Sequence, residues 1–295
     1  MLSILIPTYN YNVFPLASAI QRQIVKTGIP FEIICLDDAS NISFAENEKI
    51  NELDGAIYVR LEKNIGRSKI RNLLAKKAQY DWLLFLDADV FPKADNLIST
   101  YLPYLNNDKK IVNGGLLYQE KRPEQGQLLR WVYGKNREAL PYKIRQKKPY
   151  LSFLTLNFLI HKSIFDTVSF NENIPNLRHE DTLFSYNLMQ KKIKIIHIDN
   201  PIYHLGLDAF DEMMKKENES ISVLKYLIDS SLISANYLRI SKLFSRLKSL
   251  KVLGLVASSH KLIRQRLLWN LQGKSPSLFL FDVYRIGYLC SLENH

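Results

Sequence analysis

A chain of 295 residues, 46% apolar and 23% charged, is long enough to bury a sizeable core, and its composition excludes disorder as the default state. Lys and Arg outnumber Asp and Glu by 40 to 29, and the resulting charge of +11 asks for an anionic partner: a bilayer face, nucleic acid or a phosphate-bearing substrate. The two cysteines, Cys35 and Cys290, lie far apart in apolar surroundings, which excludes a disulfide framework and a cysteine metal site and fits a reducing cytoplasm.

The first predicted strand, LSILIP, starts at Leu2 with no basic region before it, so no signal peptide is expected. A helical segment from about Phe14 to Lys26 follows. FEIICLDDAS is a second strand ending in acids, and AIYVRL is a third. NIGRSKIRNLLAKKA puts Ile70, Leu73, Leu74 and Ala78 on one helical stripe, with Gly66 and Ser68 in its opening turn. DWLLFLDAD is the fourth strand. Its apolar run reads as a strand buried on both faces, and it ends in Asp87 and Asp89. Two carboxylates placed there repel each other and lose hydration unless a positive group lies between them.

Strands alternating with helices predict an α/β fold with a doubly wound, mostly parallel sheet, whose ligands bind beyond the carboxyl ends of the strands. Polar residues gather at that edge: Pro7-Thr8-Tyr9-Asn10 after the first strand, Asp37-Asp38 after the second and Asp87 with Asp89 after the fourth. Their convergence predicts one site.

Beyond Pro103 the pattern loosens. Residues 119–150 are basic and aromatic, Arg130, Trp131, Tyr133 and Arg145 among them, without clean periodicity. FLTLNFLIH, residues 153–161, returns as a strand, and RHEDTLFSYNLMQKK reads as a helix with acids first and lysines last, as its dipole favours. KIIHID is another strand, leading through Pro201 to Tyr203 and His204. The rest is helical in pattern. Leu243, Phe244, Leu247, Leu250 and Leu253 form an apolar stripe among Lys242, Arg246, Lys248 and Lys251. From Ser230 through Phe281 there are nine Lys or Arg and no acid. No apolar run approaches the length of a membrane span, so the chain is expected to be cytoplasmic. Two parts are expected: residues 1–206 and a basic amphipathic helical region, 207–295.

The motifs SILIPTYN, LDDAS, NIGRSKIRN, FLDADV, HEDTLFSYNL and YHLG, in this order and spacing, resemble those of bacterial family-2 glycosyltransferases of the GT-A fold. The likeness covers roughly residues 1–206. It implies a GT-A fold with a C-terminal helical extension. It also implies an inverting enzyme that moves a sugar from a nucleotide-diphosphate donor to an acceptor hydroxyl with the help of a divalent cation.

The residue chemistry agrees with that implication. Charge grows on the diphosphate as the glycosidic bond breaks, and Mg²⁺ or Mn²⁺ neutralises it, taking one or two carboxylates plus the phosphates. Asp89 is the expected metal ligand, and Asp87 shares the metal or binds the donor ribose, as the first acid of the motif does in similar enzymes. The positive group at the end of the fourth strand is then a metal–diphosphate complex; the alternative is a strand-end Asx turn. Asp38 resembles the acid that binds the donor base or ribose. A carboxylate accepts from uracil N3–H, which favours a UDP-sugar. Thr8 and Tyr9 would frame the base, with Pro7 in the same donor-binding loop. Arg71 faces the donor site by resemblance, whereas Arg67 and Lys69 are expected to face solvent.

Asp181 holds the place of the general base in the family's Glu-Asp pair, with Glu180 orienting or binding the acceptor. Acids in a first helical turn are favoured by the dipole whether or not they do chemistry, and that dipole would lower the pKa of Asp181. His204 is the third metal candidate by resemblance, better suited to Mn²⁺ than to Mg²⁺; a capping histidine is the alternative. His161 and His179 are assigned to structure.

The expected partners are the nucleotide sugar and a saccharide or lipid-linked saccharide acceptor of cell-surface polysaccharide synthesis, with no nucleic acid. The basic tail has three readings: a helical cap on the acceptor pocket, a peripheral contact with the anionic inner face of the cell membrane, or an oligomer contact. A sugar-phosphate nucleotidyltransferase would want a glycine- and arginine-rich loop after the first strand, and IPTYNYN has neither residue. An RNA-binding protein would not place acids at three strand ends. A glycoside hydrolase needs its carboxylates on either side of a sugar.

Overall fold

The apolar run at the amino end alternates its side chains between two helical layers, and that alternation sets the architecture. Leu2, Ile4 and Ile6 pack with Leu16, Ile20 and Ile24 of the first helix. Leu5 points the other way, to Ile70, Leu74 and Phe184.

The computed structural model describes residues 1–106, 108–175 and 178–294. In chain order the elements are β1 (Leu2–Thr8), α1 (Phe14–Val25), β2 (Phe31–Asp37), β3 (Ala56–Arg60), α2 (Arg67–Lys77), β4 (Trp82–Leu86), β5 (Val90–Pro92) and α3 (Leu97–Tyr101). Next come β6 (Ile111–Asn113), β7 (Leu116–Leu117), α4 (Leu128–Tyr133), α5 (Tyr142–Gln146), β8 (Asn157–His161), α6 (Lys162–Thr167) and α7 (Glu180–Gln190). β9 (Ile195–His197), β10 (Ile202–His204), α8 (Phe210–Asp229), α9 (Arg239–Ser249), α10 (Leu253–Gln272) and α11 (Leu278–Ser291) complete the series.

The main sheet runs β3-β2-β1-β4-β8-β6-β9, and β8 alone opposes its neighbours. The expected doubly wound, mostly parallel sheet is therefore the sheet observed. Strand order reverses between β1 and β4, and in such sheets that switch point opens a crevice at the carboxyl ends. A second, three-stranded sheet, β5-β10-β7, joins short segments from three separate parts of the chain. Its strands are two or three residues long, too short to repeat a pattern. It matters for function because the antiparallel register sets His204 opposite Val90, one residue from Asp89.

Arg145, read as one charge in a basic stretch, is buried. Its guanidinium donates to the carbonyls of Asn113, Gly114 and Ile198, and so ties down the ends of β6 and β9. It also donates to His197 Nδ1, which leaves the proton of a neutral imidazole on Nε2, facing the Pro149 carbonyl.

The chain divides into two compact units: residues 1–119, 138–176 and 180–206, and residues 120–137, 177–179 and 207–295. Residues 120–137, expected within the first part, thus cluster with the second unit. That unit has its own apolar cores, one around Leu267, Leu271, Phe281 and Tyr284 and another around Phe244, Leu253 and Leu289. The predicted stripe is broken there. Phe244 and Leu253 are buried, but α9 ends at Ser249, Lys251 adopts a left-handed backbone, and Leu243 and Leu250 are exposed. Both cysteines are free and buried, and among the described residues no helix is long and apolar enough to cross a membrane.

Candidate active site

A cleft of about 480 Å³ opens at the switch point, beyond the carboxyl ends of β1, β2 and β4. Pro7, Thr8, Tyr9, Asp38, Arg71, Asp87 and Asp89 all line it, so the three polar segments converge. Thr8 is buried, and its carbonyl accepts the Asp38 N–H at 2.8 Å, which joins the first two loops. Tyr9 stands exposed, with its hydroxyl accepting from Asn41 Nδ2 at 3.1 Å.

Asp38 is buried, and both its oxygens are engaged. They accept the N–H groups of Ile65 (2.7 Å) and Gly66 (2.9 Å), at the amino end of α2. Gly66 has φ of 90°, a conformation that favours glycine and that aims these amides at the carboxylate. Asp38 thus braces the loop it shares with Asn64, whose Nδ2 donates to the Asp38 carbonyl. Asp37 is wholly structural, accepting from Tyr58 Oη and the Ser40 amide at 2.7 Å each.

The two acids that end β4 have different partners. Asp87 Oδ1 accepts from Arg71 Nη2 at 2.8 Å, and Asp89 Oδ2 lies 3.2 Å from His204 Nε2. The positive group beside Asp87 is a guanidinium of the protein, a pairing that the sequence reading did not place there. Arg71 also reaches Glu180 Oε1 at 3.4 Å and so bridges the end of β4 to the start of α7. Arg67, expected to face solvent, lines the cleft and comes within 3.8 Å of the same Glu180 oxygen.

Asp181 is half-buried, and Oδ1 accepts the Thr182 N–H at 2.6 Å. Burial and the adjacent Glu180 charge push its carboxyl up to about 6, opposite to the lowering expected from the helix dipole. Among the described residues that line the cleft, neither Glu180 nor Asp181 appears; Arg71, which does line it, reaches Glu180.

A divalent cation fits at Asp89. The carboxylate and imidazole face each other, and His204 Nδ1 is buried with no hydrogen-bond partner among the described residues. Gly206 closes this corner: a Cβ there would meet Asp89 Oδ2 at 2.6 Å. One oxygen ligand and one nitrogen ligand leave most of a coordination shell to phosphates and water, and they suit Mn²⁺ better than Mg²⁺. Among the described residues no three His, Cys, Asp or Glu side chains form a complete metal cage.

The family model for glycosyl transferase family 2 matches residues 3–168, over half of the chain and every cleft-lining residue. The chain belongs to glycosyl transferase family 2. A curated relative, an uncharacterized glycosyltransferase of Haemophilus influenzae, is 33% identical over 89 residues, which is 30% of this chain and 29% of that protein's length. The mannosyltransferase PcManGT of Pyrobaculum calidifontis, solved with GDP-Man and Mn²⁺, superposes with a TM-score of 0.57 at 12% identity, over 99% of this chain and 86% of its own. S. aureus TarS 1-349, solved with UDP-GlcNAc, gives 0.51 at 18% identity, over 97% and 90%. These likenesses establish the GT-A fold.

Within this family-2 chain, sequence reasoning passed over Tyr11, Asn64 and Gly206 and turned Arg67 to solvent. Asn64 and Arg67 lie in NIGRSKIRN on either side of Ile65-Gly66, where the turn that opens α2 could have marked a cleft-facing loop. The glycine of YHLG was quoted without a task; its closeness to Asp89 depends on the β10–β5 register, which no local pattern encodes. Tyr11 carried no signal. Its hydroxyl is pushed up by burial and by the Asp89 charge. His161 and His179 are placed structurally: His161 caps α6, and His179 bonds Ser220 Oγ at 2.9 Å.

Proposed function

We propose that this protein transfers a sugar, with inversion at the anomeric carbon, from a nucleoside-diphosphate donor to an acceptor hydroxyl. The observation that carries the proposal is one cleft at the β1/β4 switch point that joins Thr8, Asp38, Arg71, Asp87 and Asp89. Structures of the same fold support the donor class: TarS was solved with UDP and with UDP-GlcNAc, PcManGT with GDP-Man. PcManGT and GalNAc-T7 were solved with Mn²⁺. A UDP-sugar is favoured because an Asp38 oxygen that accepts one amide retains a lone pair for uracil N3–H or a ribose hydroxyl. The acceptor class that suits such an enzyme is a saccharide or lipid-linked saccharide of the cell surface.

Pro7, Thr8 and Tyr9 frame the base, with Tyr9 free to stack. Asp89 and His204 hold the cation, which when bound neutralises the charge growing on the departing diphosphate. Asp87, held by Arg71, meets the ribose more readily than the metal. Asp181 takes the acceptor proton as the acceptor oxygen attacks the anomeric carbon. The bond from that carbon to the diphosphate oxygen breaks, and its electron pair leaves with the nucleoside diphosphate. Glu180 holds Arg71 in place beside the base. All lining residues fall between positions 7 and 89, which supports assigning donor binding to residues 1–206 and another task to residues 207–295.

The test is turnover of UDP-, GDP- and dTDP-sugars with Mn²⁺, water serving as a poor acceptor. Release of a nucleoside diphosphate with a sugar of inverted configuration is expected. Release of sugar 1-phosphate and a nucleoside monophosphate would overturn the reading.

A further inference from the structure

Helix α10 is apolar on two opposite faces. Leu253, Ala257, His260, Leu267 and Leu271 are buried on one side. On the other, Leu255, Leu262 and Trp269 recur every seven residues and are 70%, 83% and 70% exposed. At 1.5 Å per residue they make an exposed apolar line about 21 Å long. Leu243 of α9 and Leu250, just after that helix ends, are exposed too, and Phe279, 73% exposed, stands at the opening of α11. A water-soluble surface rarely aligns its largest apolar residues in this way, and such patches mark interaction sites.

The charge around this line has one sign. Between Ser230 and Phe281 stand nine Lys or Arg and no acid. Among the described residues, only Lys248 of these nine forms an ion pair, with Glu293. The acids of the same unit all lie outside that span: half of them are on α8, at Asp211, Glu212, Glu217, Glu219 and Asp229, and Asp282 and Glu293 follow the span in sequence. Arg266 follows Leu262 by four residues and precedes Trp269 by three, so on a helix it flanks both.

We propose that the α9–α10 face docks on an anionic phospholipid bilayer, with Leu255, Leu262 and Trp269 entering the headgroup region and the flanking Lys and Arg meeting lipid phosphates. Leu and Trp on one face with arginines beside them is the composition of a helix lying in the membrane plane. Each basic residue near an anionic leaflet adds about fivefold to binding, so several together give firm, salt-sensitive attachment. A second copy of the chain is a poorer occupant, because a two-fold contact would set this uniformly positive face against itself. Nucleic acid is poorer too: exposed leucines offer bases no stacking partner.

The test uses the full chain and two vesicle types, phosphatidylcholine alone and phosphatidylcholine with about one-third phosphatidylglycerol, at about 0.1 M and 0.5 M salt. Co-sedimentation with the anionic vesicles only, falling at high salt, is expected. The double substitution Leu262→Glu with Trp269→Glu should weaken it at least tenfold while leaving the unfolding midpoint unchanged, since both side chains are exposed. A second pair, Arg264→Gln with Arg266→Gln, should weaken it about tenfold or more. Equal binding to both vesicle types, no binding to either, or binding indifferent to the Glu pair would overturn the proposal. So would a dimer in sedimentation velocity that the Glu pair dissolves.

Discussion

A methyl group at position 206 would sit 2.6 Å from Asp89 Oδ2, closer than any such contact tolerates. Gly206→Ala should therefore push the carboxylate off His204 and weaken Mn²⁺-dependent nucleotide binding about tenfold or more. The fold should survive, because Gly206 has no left-handed backbone to strain. Calorimetric titration of nucleotide with Mn²⁺ checks this. Asp181 makes a second prediction. A base works when ionised, and its carboxyl titrates near 6, so turnover should fall as pH drops through about 6 and level off above it. Asp181→Asn should lower kcat about a hundredfold or more with nucleotide affinity unchanged. The stability effect has the opposite sign. A carboxyl raised from 3.8 to about 6 on folding favours the protonated folded state, so its contribution is present below about pH 4 and lost as pH rises through 6. At pH 7 Asp181→Asn should stabilise the fold by about 1–2 kcal/mol, allowing for partial exposure, and at pH 4 the gain should vanish. Urea unfolding at the two pH values measures it. A residue that costs stability where the protein works, and whose removal abolishes turnover, behaves as a catalytic group.

Between elements, Arg71 of α2 is the shared link. It faces Asp87 at the end of β4 and Glu180 at the start of α7, and the two distances of 2.8 and 3.4 Å use different guanidinium nitrogens. A lysine cannot grip two carboxylates with a fixed fork. Arg71→Lys should destabilise by about 1–3 kcal/mol, a midpoint lowered by a few degrees, and should cut turnover more than nucleotide affinity. Thermal unfolding together with steady-state kinetics separates the two effects. Elements with a full apolar period were legible from sequence: β1, β2, β4, α2 and α7 lie close to where their patterns put them. Those that locate His204 were not. β5, β7 and β10 owe their existence to pairing with one another, since two or three residues carry no period. The α9 stripe misled for a related reason. An apolar spacing says that residues share a face, while the left-handed turn at Lys251 ended that face.

For the whole molecule, the acids that line the cleft were readable because strand ends in a parallel sheet must converge on one edge, and PTYN, DDAS and DAD each closed an apolar run. Arg71 and His204 were brought to the site by resemblance alone, and the contact of Gly206 with Asp89 was not readable, because all three reach the acids through tertiary contacts that no local pattern encodes. Charge is divided along the chain. The acids with catalytic assignments lie before residue 182, and nine basic residues fall between 230 and 281 without an acid among them. The central claim is that a cation held at Asp89 ties a nucleoside diphosphate into the cleft. The most direct measurement is thermal unfolding of wild type and Asp89→Ala with UDP, GDP, dTDP or ADP, each with and without Mn²⁺. A ligand at a hundred times its dissociation constant stabilises by about 2.7 kcal/mol, a rise of several degrees. One nucleotide should raise the midpoint of wild type only with Mn²⁺, and Asp89→Ala should lose the rise. A rise that needs no Mn²⁺, or one that survives Asp89→Ala, would contradict the account.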